Sequence, residues 1–254
     1  MQIKPHLNRY WLNSKPTDPV ALAAFNQRVE EICAVYTAAP ALQAQGVHTI
    51  SSDEMTGIQA LERVFPTLPT RPGLIERREF EYIRHGTQSL MANIEVATGQ
   101  IVAPSIGDTR NEADFCAHIH QTIATDPLAG WIFVTDQLNT HKSEALVRLV
   151  ADLCSISLDL GSKAQVGILK SMPSRAAFLQ DPSHRIRFVY TPKHSSWMNQ
   201  IEIWLSILVR RLLKRASFTS KADLCKHILD FIAYFNQTMA KPFKWTFTGR
   251  QLAV

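Results

Sequence analysis

Three acids, Asp53, Asp136 and Glu202, stand at comparable places along this chain. Val47, Thr49 and Ile50 suit a short buried strand that ends as Asp53 and Glu54 appear, and the continuous apolar run Trp131 to Val134 suits a second strand closed by Asp136. Glu202 lies near the start of a helix that follows a third strand. If the strands carrying Asp53 and Asp136 are neighbours, their carboxylates meet at one edge of the sheet, and the later helix lays Glu202 against them. Carboxylates held together repel one another and their pKa values rise, so such a cluster is stable as anions only around a cation. Hard oxygen ligands select magnesium or manganese over zinc or copper. Two such ions, roughly 3.5–4 Å apart, clamp both the attacking and the leaving oxygen of a phosphoryl transfer. That is the chemistry of cutting and joining phosphodiesters. The competing reading is structural: acids end strands for turn reasons in many α/β proteins, and Glu202 can be an ordinary acid flanking a helical stripe.

The positioning elements centre on RIRFVYTPKHSSWMNQIEIWLSILVRRLLKR, residues 185–215. Ile186, Phe188 and Tyr190 alternate with Arg187 and Val189 as in a strand, Pro192 breaks the run, and Ser195 or Ser196 can cap the helix that follows. Trp197, Ile201, Trp204 or Leu205, Leu208 and Leu212 form the stripe this helix turns to a core. Asn199 and Glu202, three apart, share a face beside it. Upstream, residues 19–38 read as an amphipathic helix, with residues 1–18 as a linker. Residues 65–73 form a proline-marked connector. EFEYIRHG, SLMANIEVATG and QIVAPSIG read as antiparallel strands with HGTQ and ATGQ as turns. Residues 111–125, 142–154 and 221–236 carry helical spacing. The expected organisation is a linker and helix over residues 1–40, a catalytic domain over 41–236 with an insertion at 155–183, and a tail over 237–254. Glu54 points away from Asp53 if the strand continues that far, which makes it a supporting residue at best.

A chain of 254 residues, 46% hydrophobic and 19% charged, can bury the core of one globular domain. It has neither an apolar run long enough to span a bilayer nor a signal-peptide core near its start, so it is expected to stay in the cytoplasm. Cys33, Cys116, Cys154 and Cys225 are far apart, which argues against a disulfide or zinc scaffold. A net charge of +5 and a pI near 9.1 suit a polyanionic partner without demanding one.

Longer strings carry a family likeness. SSDEMTGIQALER, ERREFEYIRHGTQSLMANIEVATGQ, VTDQLNTHKSEA, YTPKHSSWMNQIEIWLSIL and KPFKWTFTG resemble, in the same order, DDE-type transposases of the mariner-like bacterial insertion sequences, the IS-six-thirty group. The resemblance implies an α/β RNase-H-like fold: a mixed sheet with an antiparallel three-stranded meander and flanking helices. It places the three metal-binding acids at Asp53, Asp136 and Glu202, with two Mg2+ or Mn2+ ions as cofactors. It implies nicking of DNA at the element ends, attack of the freed 3′-hydroxyl on target DNA, and a homodimer or higher assembly. Asn139, His141, Ser196, Trp197 and Asn199 match its motifs, either orienting acids and touching DNA or capping and packing, and Lys193 is a further candidate for supporting the site or binding DNA.

The spacing from Asp136 to Glu202 exceeds that usual in the wider mariner-like group. The 155–183 stretch accounts for it, and its Lys163, Lys170 and Arg175 are candidates for phosphate contact or for a solvated loop. Complete relatives also begin with helix-turn-helix domains, of which only a linker, NRYWLNSKP, is expected here, so the partner that reads DNA ends can be a separate chain. Arg210, Arg211, Lys214 and Arg215 suit either phosphates or the helix dipole. Lys241, Lys244, Trp245 and Arg250 suit either nucleic acid or docking of the tail on the core. His118 and His120, two apart on a helix, face different ways and read as surface or packing residues.

Overall fold

The computed structural model describes residues 18–247; the linker residues 1–17 and the last residues, including Arg250, lie outside them. A long helix α1 (Pro19–Ala44) leads into strand β1 (Val47–Arg63), followed by β2 (Tyr82–Glu95) and β3 (Ile101–Gly107). Helix α2 (Glu112–Ile123), strand β4 (Gly130–Thr135), helices α3 (Glu144–Leu153) and α4 (Met172–Leu179), and strand β5 (Ile186–Tyr190) come next. Helices α5 (Ile201–Leu208) and α6 (Lys221–Thr238) close the order. The sheet runs β3-β2-β1-β4-β5, antiparallel among the first three strands and parallel from β1 through β4 to β5.

Alternation along the strands sorts side chains onto two covered faces. Trp131, Phe133, Ile186, Phe188 and Tyr190 face α2, α3 and α4, while Ile132, Val134 and Val189 pack with Val29, Ile32 and Tyr36 of α1. Farther along that second face, Leu90, Ala92 and Ile94 meet Ile201, Trp204 and Leu208 of α5 and Leu224 and Ile228 of α6. Phe133 and Phe188, fully buried and stacked at 5.2 Å, each contribute about 1.5–3 kcal/mol by leaving water.

An antiparallel three-stranded meander is present, but its members differ from expectation: EFEYIRHG and SLMANIEVATG contribute to one strand, β2, and β1 is the third member beside β3. HGTQ is no turn: β2 runs through it, and Gly86 at φ +109° lies in the register shift between Gln59 and Leu61, where β2 carries the extra residue. Turn chemistry and bulge chemistry both call for glycine, which is why the two look alike in sequence. Asp53, likewise, does not close a strand. It sits inside the 17-residue β1, two residues beyond Ser51, the last partner of β4 in the parallel ladder. The parallel pairing ends there, not the strand.

Helix α1 continues past residue 38, through Pro40, to Ala44, with its own Tyr36 and Ala39 buried against the core. It therefore crosses the expected boundary at residue 40. The 155–183 stretch supplies α4 and packs Leu169, Phe178 and Leu179 into the core. Its Arg175 is buried and donates to the carbonyls of Lys142 at 2.7 Å and Leu169 at 2.9 Å, so it is not available to phosphates; Lys163 and Lys170 are exposed.

Candidate active site

Ser51 and Asp53, two apart on β1, share the face of the sheet that α5 covers. The Ile201 N–H at the start of α5 donates to Ser51 Oγ at 2.9 Å, and Ser51 Oγ in turn donates to Asn199 Oδ1. Asn199 Nδ2 donates to Asp53 Oδ2 at 3.1 Å and to the Ser52 carbonyl at 2.9 Å. The helix that carries Glu202 is thereby pinned to the strand that carries Asp53. Ser195 and Ser196 make no cap: they lead into a short turn, Ser196–Met198, and it is Ser51, from a distant strand, that receives the first helical N–H. Asn199 precedes the helix and is fully buried, so it shares no helical face with Glu202. Trp197 leaves the core stripe as well; it is 47% exposed and meets Phe247 edge-on at 5.0 Å.

Asp136 follows β4 directly. Its Oδ1 accepts from the Leu138 N–H at 2.8 Å and from His141 Nδ1 at 2.8 Å. The other ring nitrogen, Nε2, bonds Glu54 Oε1 at 2.9 Å. Glu54 thus faces away from Asp53, as strand alternation requires, and reaches Asp136 through a buried imidazole. His141 lies against Phe115 at 4.2 Å, and its carbonyl accepts from the Tyr190 hydroxyl at 2.8 Å.

The electrostatics report the convergence. Burial pushes the Asp53 carboxyl up to about 7; the Glu54 N–H opposes this, and the charges of Asp136, Glu54 and Glu202 add to it. Glu202 is raised by burial and by Asp136. Asp136 itself is held low: burial works upward, but the bonds from His141 and Leu138 outweigh it. Burial would lower His141, yet Asp136 and Glu54 carry it up to about 9, so it is an imidazolium at neutral pH. Acids from three distant parts of the chain lie within one another's fields.

In donor type these residues suit a divalent cation. The donors are carboxylate oxygens, and burial together with the neighbouring acids disfavours the charged form of Asp53, a cost that a bound cation would relieve. Among the described residues no group of three or more His, Cys, Asp or Glu side chains is gathered closely enough to hold a metal ion; the three acids are in electrostatic reach of one another without forming a ligand set.

Cations flank the cluster on two sides. A groove of about 260 Å3 beside Glu202 is lined by Met55, Leu205, Ser206, Val209, Arg210 and Lys214, where the helix widens into a π-helical turn, Val209–Leu213. Arg211 is exposed on that turn without lining the groove. On the Asp136 side, Lys142 is lowered by burial and by the nearby Arg28 and Lys193. Lys193, Ser196 and Asn139 are exposed around the acids. His118 is buried, with Nδ1 2.8 Å from Ser105 Oγ, and His120 is exposed, as the packing reading requires. In the tail, Trp245 meets Tyr36 edge-on at 4.8 Å, a docked arrangement. Sequence reading overlooked Ser51, though its parity with Asp53 on β1 was the available signal; Glu54 lies on the opposite face, as that parity implied.

A mixed five-stranded sheet with an antiparallel meander and helices on both faces is the RNase-H-like architecture. The profile of the DDE superfamily endonucleases matches residues 48–225, and the chain belongs to that family. In fold it is similar to the Mos1 mariner transposase in a paired-end complex with Mn, at a TM-score of 0.51 and 13% identity over 89% of this chain and 58% of that one. The Mos1 catalytic domain by itself gives a TM-score of 0.49 and 11% identity, covering 89% of this chain and 85% of that one. The chain thus spans less than two thirds of the longer Mos1 chain. No curated protein sequence matches. Among the described residues no helix is long and apolar enough to cross a membrane.

Proposed function

We propose that this chain is the catalytic domain of a DNA transposase of the insertion-sequence type, which cleaves DNA at the element ends and joins the freed 3′ end to target DNA. The observation that carries this reading is the placement of Asp53 and Asp136 just past the end of the parallel ladder of β1 and β4, with Ser51 and Asn199 tying the start of the helix that bears Glu202 to the same strand. These three acids would hold Mg2+ or Mn2+, in a pair. When bound, the ions supply Lewis-acid stabilisation of an in-line phosphoryl displacement. The Mos1 fold neighbour is in a complex with Mn, a metal of the class these oxygen donors select.

The protein's own groups do the positioning. Asn199 and the Glu54 N–H fix Asp53, His141 and Leu138 fix Asp136, and α5 presents Glu202 beside the groove. Arg210 and Lys214 on one side, and Lys193 with Lys142 on the other, attract the phosphate backbone. Asn139, Ser196 and the half-exposed Trp197 meet DNA at the rim, Trp197 by stacking on a base, with Arg211 as an outer phosphate contact. End recognition belongs to a helix-turn-helix module outside the catalytic domain. The working form is a homodimer or higher assembly on paired ends in the bacterial cytoplasm.

The test is purified protein with Mg2+ or Mn2+ on end-containing DNA, beside Asp136→Asn. Nicked and strand-joined products from wild type alone are expected. Nicking without joining points to another nuclease of this fold. Binding without cleavage by either protein overturns the enzymatic reading in favour of a DNA-binding remnant.

A further inference from the structure

Adjacent residues of β1 reach the site by different routes. Asp53 takes part directly. Glu54, on the opposite face, ends against His141 Nε2 at 2.9 Å, and His141 Nδ1 bonds Asp136 Oδ1 at 2.8 Å. The relay is dry and rigid: the His141 side chain is 0% exposed and that of Glu54 2%, while Asp136, at 39%, is its open end. Phe115 packs on the ring and the Tyr190 hydroxyl holds the His141 carbonyl, so the imidazole has one orientation. A buried salt link of this kind contributes little net stability against an apolar replacement, because desolvation offsets the attraction. Its geometry instead fixes one oxygen of a carboxylate whose direction matters.

We infer that Glu54 is a positioning residue, which acts through His141 to hold Asp136 so that Oδ1 is committed to protein donors and Oδ2 is the oxygen offered to a divalent cation. Because Glu54 follows Asp53 on one strand, the register of β1 sets two of the three acids at once: one by its own side chain, the other through the imidazole. This rests on the proposal that Asp53, Asp136 and Glu202 form a cation site. Outer partners that orient a ligating group this way typically change metal affinity by about 10- to 100-fold when removed.

The experiment is Mn2+ binding by calorimetry to wild type, Asp136→Asn, Glu54→Gln, Glu54→Leu, His141→Leu and the Glu54→Leu/His141→Leu double variant, each checked for folding by circular dichroism. Glu54→Leu and His141→Leu are expected to weaken Mn2+ about 10- to 100-fold. Glu54→Gln, which keeps an acceptor for Nε2 and the shape of the side chain, falls between them and wild type and serves if the Leu variants do not fold. The double variant is expected to bind no more weakly than His141→Leu, since Glu54 acts only through the ring. Variants that lower the melting temperature yet bind Mn2+ as wild type does overturn the inference, as does a Glu54 effect that persists in the His141→Leu background. Wild type that takes up no Mn2+, or takes it up equally as Asp136→Asn, overturns the cation site and this inference with it.

Discussion

Two histidines in this fold are each held between two carboxylates, and only one of them sits at the candidate site. His141 bridges Glu54 and Asp136 where the parallel ladder of β1 and β4 ends. His48 bridges Glu95 at 2.6 Å and Asp126 at 3.3 Å where that ladder begins, stacked at 4.4 Å on Trp131. The local chemistry is nearly the same, and both imidazoles are raised above the ordinary range. For His48, burial works downward and the bond to Glu95 outweighs it. The surroundings differ. Glu95 is also bonded by Gln43 at 3.0 Å, and Asp126 is half-exposed, so that end is compensated by protein and water. At the other end Asp136 also feeds the fields of Asp53 and Glu202, and excess negative charge remains. A histidine between acids therefore does not by itself mark a site; the proposed site is distinguished by further acids at the carboxyl ends of the parallel strands.

The largest effects should separate the two ends cleanly. Asp53→Asn, Asp136→Asn and Glu202→Gln should each lower nicking of supercoiled DNA by about 1,000-fold or more, because several kcal/mol of charge stabilisation is lost. His48→Gln should leave nicking within about threefold of wild type, as expected of a substitution that touches packing alone. A strong loss at His48 would break the comparison.

The pH dependence of stability sharpens it. The folded-state pKa of Asp53 is raised from 3.8 to about 7, so its contribution is present below pH 4 and is lost as pH rises through 7. In chelator, melting temperature should fall across that window, by the equivalent of at most about 4 kcal/mol. Asp53→Asn should flatten the fall and Mg2+ should counter it. His48 is raised too, so its contribution is present below about pH 6.5 and is lost as pH rises through its folded value. His48→Gln should remove that loss, and Mg2+ should leave it unchanged.

Two buried polar links give a smaller contrast. Ser51→Ala removes the partner of the Ile201 N–H and of Asn199, and should cost about 1–2 kcal/mol in urea unfolding together with a loss of nicking. Asn93→Ala breaks the buried bond from Asn93 Nδ2 to Thr122 Oγ1 at 2.6 Å; it should cost a similar amount of stability with nicking retained in the folded protein. The smallest effect is Asp126→Asn at the far end, within about 1 kcal/mol, because that pair is half-exposed and screened.

The apolar elements were legible from period and run length. Trp131 to Val134, the alternation from Ile186 to Tyr190 and the helices beginning near residues 19, 112 and 221 all lie where their patterns predict. What misled was local chemistry with two uses. The glycine of HGTQ serves a bulge inside β2, and the polar SSDEMTG run continues β1 because pairing with β2 stabilises a strand that its own residues do not favour. The helix cap was invisible because Ser51 comes from the far side of the sequence, and a cap supplied by tertiary contact leaves no mark near Ile201. Arg175 looked like a surface cation because composition does not reveal which carbonyls a guanidinium will find. Asp53 was singled out for the wrong local reason, as a strand end, yet it marks the end of the parallel ladder.

The central claim is that Asp53, Asp136 and Glu202 together grip divalent metal. Anomalous diffraction at the manganese edge from crystals grown with Mn2+ tests it most directly. The account predicts density among these three carboxylates, lost in Asp136→Asn crystals and absent from the cluster of His48, Glu95 and Asp126. Manganese at that second cluster instead, or none among the three acids at saturating Mn2+, would contradict it.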